Sequence, residues 1–221
     1  VYVILDLFQN PITRITRAYK LNLMIAVLTG DIINSQEHEV SDWLTTLKEI
    51  LNFYGKAPNQ WEVFRGDSFQ LSLKPEIALL AALHIKATIK QIKNLDVRIA
   101  IGLGEENYSS QNITESNGTA YINSGKCFEK LQKQTLAIAT GNTRFDELIN
   151  LMLNLGALTT NNWTPTVAEA IKTAIEHPEK NQKELAKLLN KSQSNVSELL
   201  KRGGVDEILK LNSYYKQYIP N

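Results

Sequence analysis

The sequence predicts an α+β chain, with a sheet domain over residues 24–140 followed by an all-helical region over 141–221. Three observations carry this. Short β-rich runs alternate with helical patterns as far as about residue 140, and from Thr143 onward every patterned segment has helical spacing. The chain is also 43% hydrophobic and 21% charged over 221 residues, enough to bury a core.

The elements follow in order. Met24–Gly30 is a short apolar run closing at Asp31 and reads as a buried strand. Ser41 caps a helical pattern in which Trp43, Leu44, Leu47, Ile50, Leu51 and Tyr54 recur. After a turn-rich break at 55–60, Trp61–Phe64 and Ser68–Leu73 form two strands of a hairpin around Gly66-Asp67. Pro75 occupies a first helical turn, and Ile77, Leu80, Ala81, His84, Ile85, Thr88 and Ile92 form an apolar stripe. His84, alone on that stripe, reads as a core-edge residue rather than a ligand. Val97–Gly102 is a further strand, 105–117 a long polar loop, and a helix follows Gly118 through Ala120, Tyr121, Cys127, Phe128 and Leu131. Leu136–Ala139 is the last strand. The order strand, helix, strand, strand, helix, strand is the split ferredoxin-like arrangement.

Bulk properties exclude several classes. One cysteine, Cys127, leaves no internal disulfide and no thiolate metal cluster, and three histidines far apart in sequence (His38, His84, His177) do not suggest a zinc site. A reducing, cytoplasmic compartment fits this usage. No apolar run approaches the roughly 20 residues that span a bilayer. Residues 1–23 lack a leading basic segment and carry Asp6 and Pro11, unlike a secretory leader. They read as an upstream extension, with Met24 as the physiological start.

The strongest functional pattern lies at 181–202. Asn181–Leu189 sets Leu185, Leu188 and Leu189 on one face, with Ala186 where a second helix crosses closely. After the polar break Asn190-Lys191-Ser192, Ser192 or Ser194 can cap a second helix with Val196, Leu199 and Leu200 inward, stopped by Gly203-Gly204. A small residue, a tight turn and apolar anchors at this spacing describe a helix-turn-helix, whose second helix enters the major groove by its N-terminal residues. The outward candidates for base edges are Gln193, Ser194, Asn195 and Ser197. Lys191, Lys201 and Arg202 are the candidates for phosphates. Between Lys180 and Arg202 six basic residues face two acidic ones, although the whole chain carries a net charge of only +1. The segment from Gln182 to Ser197 resembles the helix-turn-helix of bacterial regulators. A plain helical hairpin used for packing or dimerisation is the other reading of the same pattern.

Two acidic residues stand out in the sheet domain. Asp31 follows the first strand in Thr29-Gly-Asp-Ile-Ile-Asn-Ser35, and Asp67 sits in the hairpin turn of Phe64-Arg-Gly-Asp-Ser-Phe-Gln70. Carboxylates brought side by side can share a hard divalent ion. Turn chemistry accounts for the same Gly-Asp pairs without any ligand.

Gly30-Asp31-Ile32, Gly66-Asp67-Ser68-Phe69-Gln70, Val97–Gly102 and Gly118–Lys126 together resemble the SatD family, which in turn is distantly similar to class III nucleotidyl cyclase domains. The resemblance covers roughly residues 24–140. It implies Mg²⁺ or Mn²⁺ at Asp31, the Ile32 backbone carbonyl and Asp67, and a nucleotide near Arg65, Asn123 and Lys126. The chain departs from the cyclase pattern in two places. Asn123 is followed four residues later by Cys127 instead of an arginine, and Val63 stands where a purine-selecting lysine is expected. The resulting expectation is a DNA-binding transcriptional regulator acting as a homodimer, with a non-catalytic cyclase-like domain that senses metal or nucleotide. The alternatives are a metal-dependent cyclase or nucleotidyl transferase, and a protein interaction module using the helical tail.

Overall fold

A computed structural model describes residues 24–220; the expected extension at 1–23, with its reading of Met24 as the start, lies outside the described residues. Among these residues the fold is α+β, with one five-stranded mixed sheet and eight α-helices. The strands are β1 (Met24–Ile33), β2 (Trp61–Phe64), β3 (Ser68–Leu73), β4 (Asp96–Glu105) and β5 (Leu136–Ala139). The helices interleaved with them are α1 (Val40–Tyr54), α2 (Pro75–Ile89) and α3 (Thr119–Lys130). After β5 come α4 (Thr143–Thr160), α5 (Pro165–Glu176), α6 (Gln182–Leu188), α7 (Gln193–Gly203) and α8 (Val205–Tyr218).

The sheet order is β2-β3-β1-β4-β5; β4–β5 is parallel and the other neighbours are antiparallel. β1 is central and three residues longer than its apolar run implies, because Ile32 and Ile33 continue the ladder opposite Val97 and Asp96. Asp31 is therefore a strand residue, paired in register with Ser68 on one side and Arg98 on the other. Helix α1 begins at Val40 rather than after Ser41, with Glu39 in the cap position and no side-chain cap bond.

Side chains alternate along β1 and sort the molecule into layers. Ala26, Leu28 and Ile32 join the large core with α1, α2 and the later helices. Val27 faces the other way, with Ile113, Ala120 and Tyr121, beneath α3. Close seating of α3 depends on two strand glycines. A Cβ on Gly102 would meet the Ser124 amide nitrogen at 2.1 Å, and one on Gly104 would meet the Ala120 nitrogen at 2.6 Å. Into the same layer Thr29 and Ser124 place their hydroxyls 2.5 Å apart.

Helix α2 is covered on both sides. Twelve of its fifteen residues are buried, while Ile77, on the expected stripe, is exposed. The amphipathic reading is thus replaced by that of an interior helix, apolar nearly all round, with the sheet in front and α5 and α8 behind. Continuous packing carries one core from the sheet into the helical region, joining Leu28 and Ile99 to Val167, Ile171 and Tyr215.

The ionisable side chains inside this core are paired, as burial demands, whereas Trp43 Nε1 and Asn212 Oδ1 are buried without a hydrogen-bond partner. His84, fully buried rather than at a core edge, has Nδ1 2.8 Å from the Tyr54 hydroxyl and Nε2 3.2 Å from Glu176 Oε1. Lys172 Nζ donates to both oxygens of Glu176 at 2.7 Å. Lys86 and Lys90 both donate to Asp96, at 2.6 and 3.0 Å, and Lys90 also to the Asn161 carbonyl at 2.8 Å. Burial pulls the Lys86 ammonium down to about 8 despite Asp96. The Tyr215 hydroxyl donates to the Pro75 carbonyl at 2.7 Å, tying α8 to the start of α2.

Two stability measurements check this architecture. Gly102→Ala should cost about 1–3 kcal/mol in urea unfolding, because the atoms it meets are α3 backbone and cannot rotate away. Burial lowers His84 to about 4, against Glu176, which works in the opposite direction. Its folded value lies below the unfolded one near 6.5, so this contribution is complete above that pH and is lost as pH falls towards 4. From pH 7 to pH 5 it should remove about 2 kcal/mol of stability. His84→Gln should flatten the profile by that amount.

Candidate functional site

Asp31 and Asp67 do come together. They line one cleft of about 660 Å³ at the end of the sheet, with Ile32, Asn34, Arg98 and Lys133. β1 supplies Asp31 and Ile32. The β2–β3 turn supplies Asp67, and it is pinned to β1 by the Ile32 amide donating to the Asp67 carbonyl at 3.3 Å. That turn needs left-handed backbone at Arg65 (φ 50°) and Gly66 (φ 91°), which is why a glycine stands at position 66.

One of the two carboxylates is ion-paired within the cleft. Arg98 grips Asp31 with two donors, Nε to Oδ1 at 2.9 Å and Nη2 to Oδ2. This bidentate pairing comes from the β1–β4 register and holds the Arg98 guanidinium above its ordinary value. The Arg98 guanidinium also sits 5.6 Å from the Phe128 ring centroid, a cation–π contact that fixes its other face. Asp67 Oδ2 accepts from the Ser35 hydroxyl at 2.5 Å. The donor chemistry suits a hard divalent ion, but Arg98 already occupies a lone pair on each Asp31 oxygen, so a cation there competes with it. Among the described residues no group of three or more His, Cys, Asp or Glu side chains is placed to hold a metal.

The expected nucleotide contacts are elsewhere. Arg65 is exposed in the hairpin turn, and Lys126 is exposed on α3; neither lines the cleft. Asn123 donates from Nδ2 to the Leu103 carbonyl at 2.8 Å and so fastens α3 to β4. Cys127 is half-buried, and burial pushes its thiol up to about 11, which leaves it a poor nucleophile at neutral pH. Arg98 and Ser35 were missed from sequence. The signal for Arg98 was a lone cation within the apolar run Val97–Gly102, which only the strand register gives a partner.

The second candidate is the surface of α6 and α7. Helix α6 starts with a reciprocal capping box between Asn181 and Glu184. Its four-residue link to α7 turns at Asn190, where φ is 50°. Ser192, not Ser194, caps α7, accepting from the Asn195 amide at 3.3 Å. Leu185, Ala186, Val196, Leu199 and Leu200 are buried in the large core; α7 packs on α5, and α6 packs on α7. Gln193, Ser194 and Asn195 are exposed at the first turn of α7, and Ser197 is half-buried.

The three expected phosphate contacts do not stand together. Lys191 Nζ donates to Glu169 Oε2 at 2.9 Å, an internal ion pair between the turn and α5. Lys201 and Arg202 stand at the far end of α7 and line a groove against α4 and α8. Lys183 and Lys187, one turn apart on the outer side of α6, are exposed and have no ion-pair partner among the described residues.

Among the described residues no helix is long and apolar enough to cross a membrane. No curated protein matches the chain. The family model described as "SatD family" matches residues 24–218, across both the sheet layer and the helical region. On that match, which takes in nearly every described residue, the chain belongs to the SatD family.

Proposed function

We propose that this protein is a DNA-binding transcriptional regulator in which α6 and α7 form a helix-turn-helix and α7 is the recognition helix. The observation that carries this is the first turn of α7: Gln193, Ser194 and Asn195 are exposed together at a capped helix N-terminus whose inner side is buried. Amide and hydroxyl side chains there match the donor and acceptor pattern of base edges. The free amide groups of the helix start favour nearby phosphate. Lys183 and Lys187 supply the positive surface beside it, a role taken over in part from Lys191, whose charge is spent on Glu169. Ser197 lies one turn deeper and packs at the edge of the contact. Operator half-sites call for two-fold pairing of such helices.

The test is a gel-shift series at rising salt, first on random DNA and then on sequences selected from a random pool. Binding should weaken steeply between low and physiological salt, as phosphate contacts require. Lys183→Ala with Lys187→Ala should weaken all sequences alike. Asn195→Ala should cost about 1–3 kcal/mol on the selected sequence and relax its specificity. Absence of binding at low salt overturns the reading.

The cleft supports a second reading. Strands β4, β1, β3 and β2 follow one another in antiparallel pairs with helices in the split pattern, consistent with a ferredoxin-like, cyclase-like sheet domain. Asp31 and Asp67 share the cleft that such a domain uses. We read it as a sensing site at which Mg²⁺ or Mn²⁺ with a nucleotide competes with Arg98 for Asp31. Calorimetric titration with Mn²⁺ and ATP should give heat that Asp67→Asn abolishes and Arg98→Met increases; no heat with Mn²⁺ or Mg²⁺, with or without nucleotide, leaves the two carboxylates structural.

A further inference from the structure

The outer side of α4 carries a row of exposed leucines that neither candidate site accounts for. Leu148, Leu151, Leu155 and Leu158 are 42%, 58%, 62% and 73% exposed. Their spacing of three, four and three residues is that of a coiled-coil seam, and it places all four on one line along the helix. Residues on the other side of the same helix, Phe145, Ile149 and Leu153, are buried in the core, so α4 is apolar on two opposite sides but covered on only one. A contiguous exposed strip of this kind marks an interface in a soluble chain.

Beside the ridge runs a groove of about 910 Å³ between α4, the end of α7 and α8. Its floor includes Met152, Gly156, Ile208 and Leu211, and Leu155 belongs to ridge and groove alike. Gly156 leaves a notch there, since a Cβ on it would meet nothing within 4 Å. One surface therefore carries both a projecting row and a matching recess, the self-complementarity that a two-fold interface requires.

We infer that this face pairs with a second copy of the chain, the two α4 helices crossing antiparallel with each leucine ridge seated beside the other copy's groove. Charge selects the direction. Arg144 and Glu147 are exposed at the N-terminal end of α4, whereas Lys201 and Arg202 rim the groove beside Thr159 and Thr160 at its C-terminal end. An antiparallel crossing brings Glu147 of one copy to Lys201 and Arg202 of the other. It also brings Arg144 to the opposing helix C-terminus and to Glu207, where a cation is favoured. A parallel pairing sets like residues against like and gains neither contact. The inference rests on this surface alone and not on the DNA-binding reading, so the two can fail separately.

Sedimentation equilibrium of the full chain tests it without DNA. The expected mass is about twice 24.9 kDa at micromolar concentration. Leu151→Glu with Leu155→Glu should give a monomer of unchanged circular dichroism. Should that pair disturb folding, surface charge reversal gives an independent readout. Glu147→Lys should weaken the dimer at least tenfold, and adding Lys201→Glu and Arg202→Glu should restore it. A wild-type monomer at 100 μM overturns the inference, including one whose groove instead takes up an apolar dye or another protein. So does a dimer that withstands the leucine substitutions, or charge reversal without rescue.

Discussion

The structure depends on the burial of α2 from two sides. A helix that is apolar nearly all round cannot rest against a single sheet, because its outer side would stand in water. Here the sheet covers one side, and α5 and α8 cover the other. Alanines at 78, 81, 82 and 87 keep the helix slim enough for neighbours to approach on every side. The helical region is consequently no appendage. It completes the core that the sheet begins, and the family match runs through both without a break.

The polar groups caught in that interior show how the arrangement is kept specific. His84, Lys86 and Thr88 are all buried on α2, and each has a partner: Tyr54 and Glu176, then Asp96, then the His84 carbonyl. An unpaired charge at any of these positions would cost several kcal/mol. The bonds of His84 and Lys86 also reach neighbouring elements, α1 and α5 for His84 and β4 for Lys86, while that of Thr88 stays within α2. The same groups that would be penalties in a misplaced helix thus register α2 against its surroundings.

The two candidate sites are built differently. The cleft at Asp31 and Asp67 comes from strand register and a left-handed turn; Arg98 pairs with Asp31, and the Ser35 hydroxyl donates to Asp67. The surface of α6 and α7 is anchored from below. Trp163 Nε1 donates to the Gly203 carbonyl at 3.0 Å, and Gly203 lies so close to Ile171 that a Cβ would meet its Cδ1 at 2.5 Å. That anchoring leaves the first turn of α7 as the exposed end, while its last turn rims the groove beside α4. One short helix therefore links the surface read as a DNA contact with the surface read as a dimer contact.

Local chemistry alone decided much of this protein. The strand runs, the hairpin at Gly66-Asp67, Pro75 at a helix start and the Ser192 cap are set by nearest-neighbour sterics and hydrogen bonding, so residues 24–220 revealed their elements in order. That Asp31 and Asp67 come to one cleft was also legible, since Gly-Asp at a strand and at a hairpin turn have few arrangements in such a sheet. What tertiary structure decided concerns groups whose partners are distant in sequence. Arg98 meets Asp31 across 67 residues, His84 meets Glu176 across 92, and Lys191 is drawn to Glu169 rather than left for a ligand. No periodicity encodes these. Periodicity also misjudged α2, because a pattern reports how apolar a helix is and not how many layers will cover it. The sequence determined which segments would form and which faces were apolar. Only the packed fold decided which charges were spent inside and which were left at the surface, because that depends on burial by residues far along the chain.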